Sequence, residues 1–243
     1  MISVGFKTDK GLYRGNNEDS VFVLPKSNIY LVADGVGGQN SGQIASRMAV
    51  SYMAQYVVDH PVSEMKNDEG LKRYFVEMYS GANDLVFKRA YIEPENYGMA
   101  TTVVLCYIKE NTAYIVNVGD SRAYLVRDGR LTQITKDHTR VQDLLDMGAI
   151  GPDQVENHPD KHKITRAVGG ESIVRPDLFK FDVCVKDTII LCSDGLYGMV
   201  AEKEIAKAAE NSGTMYGLAS ELVDMANAGG GEDNISVVCL RVQ

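Results

Sequence analysis

The order and spacing of apolar runs along this chain predict an α+β fold in which antiparallel sheets are covered by helices. Three observations carry this expectation. Short strand-like runs come in consecutive groups separated by tight turns, which favours antiparallel neighbours. Helical stretches come in pairs between those groups instead of alternating singly with strands, which argues against a doubly wound parallel sheet. No repeat, low-complexity tract or Pro/Ser-rich linker divides the 243 residues, so a single domain over 1–243 is expected.

The elements follow in order. Residues 2–7, 20–24 and 28–33 are short and rich in β-branched and aromatic side chains, as strands are. Ile44, Met48, Tyr52 and Tyr56 recur every four residues, flanked by Ala45, Ala49, Met53 and Val57; that broad apolar stripe predicts a helix. A second helix is expected over about 69–90, with Leu71, Phe75, Met78, Tyr79, Ala82 and Val86 on one side. Strands at 101–108, 113–118 and 122–127 come next, and Asp128-Gly129 marks a tight hairpin into 130–134. Leu144, Leu145 and Met147 suggest a short helix. Residues 148–163 are polar and aperiodic, with two prolines and two histidines, and read as a long surface excursion of the kind that often carries function. Strands at 178–185 and 188–192, helices at 202–210 and 215–227, and a strand at 235–242 complete the chain.

Composition narrows the function. A hydrophobic share of 44% with 24% charged residues is ordinary for a chain with a real core, so disorder is not expected. The formal net charge of −8 disfavours nucleic-acid binding, which needs a basic surface. No run is long and apolar enough to cross a membrane, and the first residues lack a signal-peptide pattern. Cys106, Cys184, Cys192 and Cys239 form no C-x-x-C pair and sit in apolar runs, so buried reduced thiols and a cytoplasmic location are expected.

The chemistry is expected where acids meet strand ends. Ile29-Tyr-Leu-Val-Ala33 leads into Asp34-Gly35, Ala113-Tyr-Ile-Val-Asn-Val118 into Gly119-Asp120, and Thr188-Ile-Ile-Leu-Cys192 into Ser193-Asp194-Gly195; Asp233-Asn234 precedes the last strand. A single Asp-Gly is usually a turn. Repetition is different, above all after the two most apolar runs, those before Asp34 and Asp194, because an acid at the end of a buried strand is costly unless something pairs with it. No basic residue lies beside these acids in sequence, so a hard divalent cation is the economical partner. All-oxygen ligands suit Mg²⁺ or Mn²⁺, and the absence of an adjacent histidine counts against zinc. Neither an EF-hand spacing nor a P-loop is present. The glycine-rich stretch 35–42 reads as a turn into the first helix, where backbone can approach a metal and Ser41 can cap the helix.

These residues resemble one family over nearly the whole chain, the PPM (protein phosphatase 2C-like) metal-dependent protein phosphatases in their bacterial form. The blocks appear in the family's order. They are Gly11-Leu-Tyr-Arg14-Gly-Asn-Asn17-Glu18-Asp19, Ala33-Asp34-Gly35-Val36-Gly37-Gly38, Gly98-Met-Ala-Thr-Thr102 and Asn117-Val-Gly-Asp120-Ser-Arg-Ala-Tyr124. Lys136-Asp137-His138, Thr165-Arg166-Ala167, Ser193-Asp194-Gly195 and Gly231-Glu232-Asp233-Asn234 follow. The resemblance implies a four-layer α-β-β-α sandwich of two antiparallel sheets flanked by helix pairs, with a flap at about 139–165. It also implies two Mn²⁺ or Mg²⁺ per site, often with a third, looser one.

By position, the resemblance makes Asp34 the carboxylate shared by both metals and the Gly35 carbonyl a ligand of one. Asp194 and Asp233 bind the other, and Glu18, supported by Asp19, acts mainly through water. Asp120 joins Asp194 at the third metal, Arg14 clamps the phosphate, and Asn234 and Asp137 are structural supports. Arg14 suits that task because its planar fork matches phosphate oxygens. Bound cations would offset part of the charge on Glu18, Asp19, Asp34, Asp120, Asp194 and Asp233. Two departures stand out. Val36 occupies a place where animal relatives often carry a histidine that is a candidate general acid, which leaves leaving-group protonation to water on the metal; Ala100 replaces a usual glycine. His60, His138, His158 and His162 are not expected to be catalytic.

The implied activity is hydrolysis of phosphoserine and phosphothreonine on proteins, opposing a eukaryotic-like Ser/Thr kinase. The alternatives are a catalytically silent sensor or binding module of the same fold, which would need a broken ligand set, and a metal phosphoesterase acting on small molecules.

Overall fold

The computed structural model describes residues 1–37 and 41–243. Gly38, in one of the family-like motifs, and Gln39 and Asn40 of the glycine-rich turn lie outside the described residues.

Two five-stranded antiparallel sheets form the centre. In the first, the order is Ile2–Asp9 (β1), Ile235–Val242 (β12), Thr188–Cys192 (β11), Arg122–Arg127 (β8) and Arg130–Gln133 (β9). In the second, it is Asp177–Asp182 (β10), Thr112–Val118 (β7), Val103–Lys109 (β6), Ile29–Ala33 (β3) and Ser20–Leu24 (β2). A two-stranded ribbon, Gly35–Val36 (β4) with Ala100–Thr101 (β5), leaves the second sheet beside Asp34. Because side chains alternate along a strand, each sheet buries both faces. Tyr30 and Val32 point inward to Ile189, Leu191, Val238 and Leu240 of the other sheet. Ile29, Leu31 and Ala33 point outward against the helices Ser41–Asp59 (α1) and Asp68–Ile92 (α2). Across the sandwich, Ile190, Cys192, Val237 and Cys239 pack on Glu202–Asn211 (α6) and Met215–Ala228 (α7). The result is the four-layer sandwich that the resemblance implied.

Local chemistry explains most boundaries. Asn67 caps α2 by accepting from Gly70 N–H at 2.8 Å, and Thr214 caps α7 by accepting from Gly217 N–H at 3.0 Å. The β8–β9 hairpin turns through Asp128 and Gly129, both at positive φ (50° and 72°), as a two-residue turn of this hand demands. In α1 the buried line is Ala45, Ala49, Met53 and Val57; Ile44, Met48, Tyr52 and Tyr56 lie on its flank.

Several expectations are corrected. Ser41 does not use its hydroxyl as a cap: it is the first residue of α1 and donates to Glu95 O at 3.1 Å, tying α1 to the segment after α2. Cys184 is exposed, because β10 ends at Asp182 and the following turn carries Cys184 outward; Cys106, Cys192 and Cys239 are buried. The excursion expected over 148–163 holds one short helix, Pro152–Val155 (α4), just after Arg140–Asp146 (α3). The helix Asp194–Tyr197 (α5) and the β4–β5 ribbon were not anticipated.

Candidate metal centre

The acids expected at strand ends converge on one cleft. Arg14, Glu18, Asp34, Gly35, Asp120, Asp194, Asp233 and Asn234 all line a cleft of about 490 Å³. A larger cavity of about 740 Å³ lies at the opposite ends of the strands and includes none of them.

Each side chain is held by its own element. β3 ends at Ala33, and the β4 ribbon then diverges, which leaves Asp34 at the junction of two sheets. Its N–H donates to Thr102 Oγ1 at 3.0 Å, and its carbonyl accepts from Thr102 N–H at 2.8 Å and from Thr101 Oγ1 at 2.8 Å. With the main chain so clamped, only the carboxylate and the Gly35 carbonyl remain to face the cleft. Asp194 opens α5 one residue after the fully buried β11, with Ser193 between them. Asp120 stands in the β7–β8 turn, where its carbonyl accepts from Tyr197 Oη at 3.0 Å. Asn234 is a hub: its Oδ1 accepts from Glu18 N–H at 2.8 Å, and its Nδ2 donates to Lys10 O and Asn16 O, both at 2.9 Å. The loop carrying Arg14 and Glu18 is thereby fastened to the start of β12. Gly42, in the first turn of α1, is required by proximity, since a Cβ there would collide with the Glu18 carboxylate and the Gly35 carbonyl.

Asp19 stands behind this layer. It is 7% exposed and accepts from Ser193 Oγ at 2.7 Å. Asp137 is likewise structural: Arg122 grips it with a fork, Nη2 at 2.7 Å and Nε at 3.1 Å, and lies over the Tyr197 ring at 3.7 Å. The expected phosphate clamp, Arg14, donates to Asp233 Oδ2 at 2.6 Å in a pair open to solvent.

The electrostatics describe a site short of positive charge. Burial, with Asp194 and Asp137 nearby, pushes the Asp120 carboxyl up to about 8. Burial lifts Asp19 to about 7 against the hydrogen bonds from Ser236 and Ser193. Asp34 is raised well above the usual range by burial and by Asp19, Asp194, Asp120 and Asp233 together. Asp194 is raised by burial and by Asp233, with Asp34, His162 and Arg14 opposing. Buried acids in this state lack a counter-charge.

The donor set fits a hard divalent cation. Two buried carboxylate oxygens, Asp194 Oδ1 and Asp19 Oδ1, have no hydrogen-bond partner, whereas buried polar atoms are normally satisfied. The lining offers carboxylates and a carbonyl, the ligands of Mg²⁺ and Mn²⁺. Among the described residues no three acidic, histidine or cysteine side chains are grouped closely enough to hold a metal ion as they stand. The arrangement is an open cup, in which Asp233 is turned onto Arg14 and water has room to complete a shell.

Some neighbours escaped the sequence reading. His162, Ile164, Tyr197 and Met199 also line the cleft. His162 belongs to the aperiodic 148–163 stretch, where no spacing rule places a side chain. His138 is buried and off the cleft. Its Nδ1 accepts from Gly119 N–H at 2.9 Å, which leaves the ring proton on Nε2, 3.1 Å from Asp177 Oδ2. Its carbonyl accepts from Thr165 N–H at 2.8 Å, so it couples the Asp120 turn to the base of the 139–165 segment.

A sandwich of two antiparallel sheets with an acid cup at the strand ends defines the metal-dependent phosphatase architecture. Comparison with known proteins agrees: the protein phosphatase 2C family model matches residues 14–232, and the chain belongs to that family. It is 37% identical over 242 residues to the serine/threonine protein phosphatase PstP of Mycobacterium tuberculosis; the match takes in all of this chain and 45% of that protein, so the chain spans about half its length. It is 36% identical to the serine/threonine phosphatase stp of Listeria innocua, covering 97% of this chain and 94% of the relative. Crystal structures of the mycobacterial phosphatase, one of them its catalytic domain in complex with two manganese ions, superpose with TM-scores of 0.89 and 0.86. Both are 35% identical and cover 100% of this chain and 99% of theirs.

Proposed function

We propose that this chain hydrolyses phosphoserine and phosphothreonine on proteins, using two Mn²⁺ or Mg²⁺ held by the acid cup. One observation carries the reading: five acids from separate parts of the sequence, Glu18, Asp34, Asp120, Asp194 and Asp233, line one cleft with Gly35, and within it a buried Asp194 oxygen lacks any partner. When bound there, two divalent cations would supply activation of a water nucleophile and charge neutralisation for the phosphoryl oxygens.

The chain's own residues do the rest. Asp34 would be the carboxylate shared between the cations, with the Gly35 carbonyl serving one and Asp194 and Asp233 the other. Glu18 would act through water, and Asp120 with Asp194 would offer a third, looser site. Asp19 and Asn234 hold this layer from behind. Arg14 binds the phosphate. Its pair with Asp233 is solvent-open, with side chains 55% and 34% exposed, and such pairs are worth about 0–1 kcal/mol, so a phosphate can recruit the guanidinium cheaply. Val36 lines the cleft and has no proton to give, so no side chain is assigned as general acid.

The chain acts as one phosphatase domain over 1–243, with the 139–165 segment as its flap. Its partners are phosphoproteins and a cognate Ser/Thr kinase whose products it reverses, and its place is the cytoplasm. No helix among the described residues is long and apolar enough to cross a membrane. The test is turnover of a phosphothreonine peptide with Mn²⁺. Asp34→Asn and Asp194→Ala should each abolish it, and robust activity in excess EDTA would refute the metal-based reading.

A further inference from the structure

The acid cleft does not end at its metal ligands. A second groove, about 280 Å³, shares Val36 and Ile164 with it and runs between the β4–β5 ribbon and residues 164–174. Its walls are mostly apolar: Ala100, Ile173 and Val174 add to the two shared residues. We propose that this groove is a substrate subsite that takes an apolar side chain next to the phosphorylated residue. The proposal rests on the phosphatase reading above and names what that site selects.

Three features support a built subsite. First, it is continuous with the catalytic cleft, so residues next to a phosphate lying by Arg14 and Asp34 can run along it. Second, it is preformed. Val36 pairs with Ala100, and Thr101 exchanges backbone hydrogen bonds with Val168 at 2.9 and 2.8 Å. The opposite wall is pinned by Asn83, which accepts from Gly169 N–H at 2.7 Å and donates to Glu171 O at 3.0 Å. Arg166, also in the wall, is fixed by donating to Asp177 Oδ1 at 2.7 Å and to Arg175 O at 3.0 Å. A rigid groove orders less on binding and loses less affinity for it. Third, at about 280 Å³ it falls just under the roughly 300–1,000 Å³ of pockets that take whole small ligands, and has room for an aliphatic side chain. Ile173 is 73% exposed at its edge, an apolar surface left for a partner to cover. The Glu171 carboxylate at the rim has no ion-pair or hydrogen-bond partner among the described residues, so an acidic flank is disfavoured.

The test uses the Mn²⁺-loaded enzyme and three substrates: a phosphothreonine peptide with Leu on both sides, its Asp-flanked counterpart, and para-nitrophenyl phosphate. Wild type should favour the Leu peptide by about tenfold in kcat/KM, mainly through KM, on the scale of covering one aliphatic side chain. Ile173→Asp, a change at a solvent-exposed position, should remove that preference while turnover of para-nitrophenyl phosphate stays within twofold; Ile173→Ala should fall between. A preference that survives Ile173→Asp, or a loss shared equally by the small ester, overturns the proposal. Wild type that turns over none of the three overturns the phosphatase reading and this subsite with it.

Discussion

Neutralising Asp120 should stabilise the metal-free protein. This side chain is 4% exposed, and burial with Asp194 and Asp137 nearby lifts its carboxyl to about 8. The sign follows from proton binding. The folded state holds the proton more tightly than the unfolded chain, so stability falls as pH rises from the ordinary carboxylate range, and the full penalty is present above about pH 8. A displacement of that size sets an upper bound on the order of 5 kcal/mol. Asp120→Asn keeps the shape and removes the charge. Even half of that bound, roughly 2–3 kcal/mol, raises Tm by about 5–10 °C for a chain of this length. Thermal melts in EDTA at pH 8 and pH 5 measure it directly: the variant should gain most at pH 8 and little at pH 5. With Mn²⁺ added, wild type should recover at pH 8, because cations supply the missing charge. A variant that melts at or below wild type at pH 8 in EDTA would refute the charge argument.

Other outcomes follow from the same structure. Burial and the neighbouring acids raise Asp34, and push Asp120 up to about 8 and Asp19 to about 7, so Mn²⁺ binding should displace protons and its affinity should fall as pH drops from 8 to 6. Calorimetry in two buffers of different ionisation enthalpy should show proton release, and a pH-independent affinity would contradict it. Arg122→Ala leaves the largely buried Asp137 unpaired and removes the guanidinium from the Tyr197 face, so a loss of about 3–5 kcal/mol is expected in denaturant melts. Gly42→Ala drives a methyl into the Glu18 carboxylate and the Gly35 carbonyl, and should weaken Mn²⁺ binding at least tenfold with the fold retained by circular dichroism. Thiol titration of the native protein should find one fast cysteine, Cys184, and three that react only on unfolding.

Much of this was legible in the sequence because the strands that carry the site are extreme. The run 29–33 is apolar at every position, as a strand buried on both faces requires, and 188–192, apolar after Thr188, is likewise buried throughout. An acid at the end of such a run has few innocent explanations, which made Asp34 and Asp194 readable. Short elements were not. The four residues of α5 and the two of β4 are too few to show a period, and they exist because tertiary contacts hold them. Nor does sequence show pairing over distance: Arg14 and Asp233 meet across 219 positions, and Asn234 reaches Glu18 across 216. Cys184 was misjudged because an apolar-looking run continues past the last paired residue of β10 into a turn.

The central claim is that this acid cup holds two divalent cations around Asp34. Equilibrium dialysis with Mn²⁺ at pH 8 tests it without relying on turnover. The account predicts two tightly bound ions per wild-type chain and the loss of both in Asp34→Asn, whose fold is retained. Two ions still bound by Asp34→Asn, or none by wild type, would contradict it.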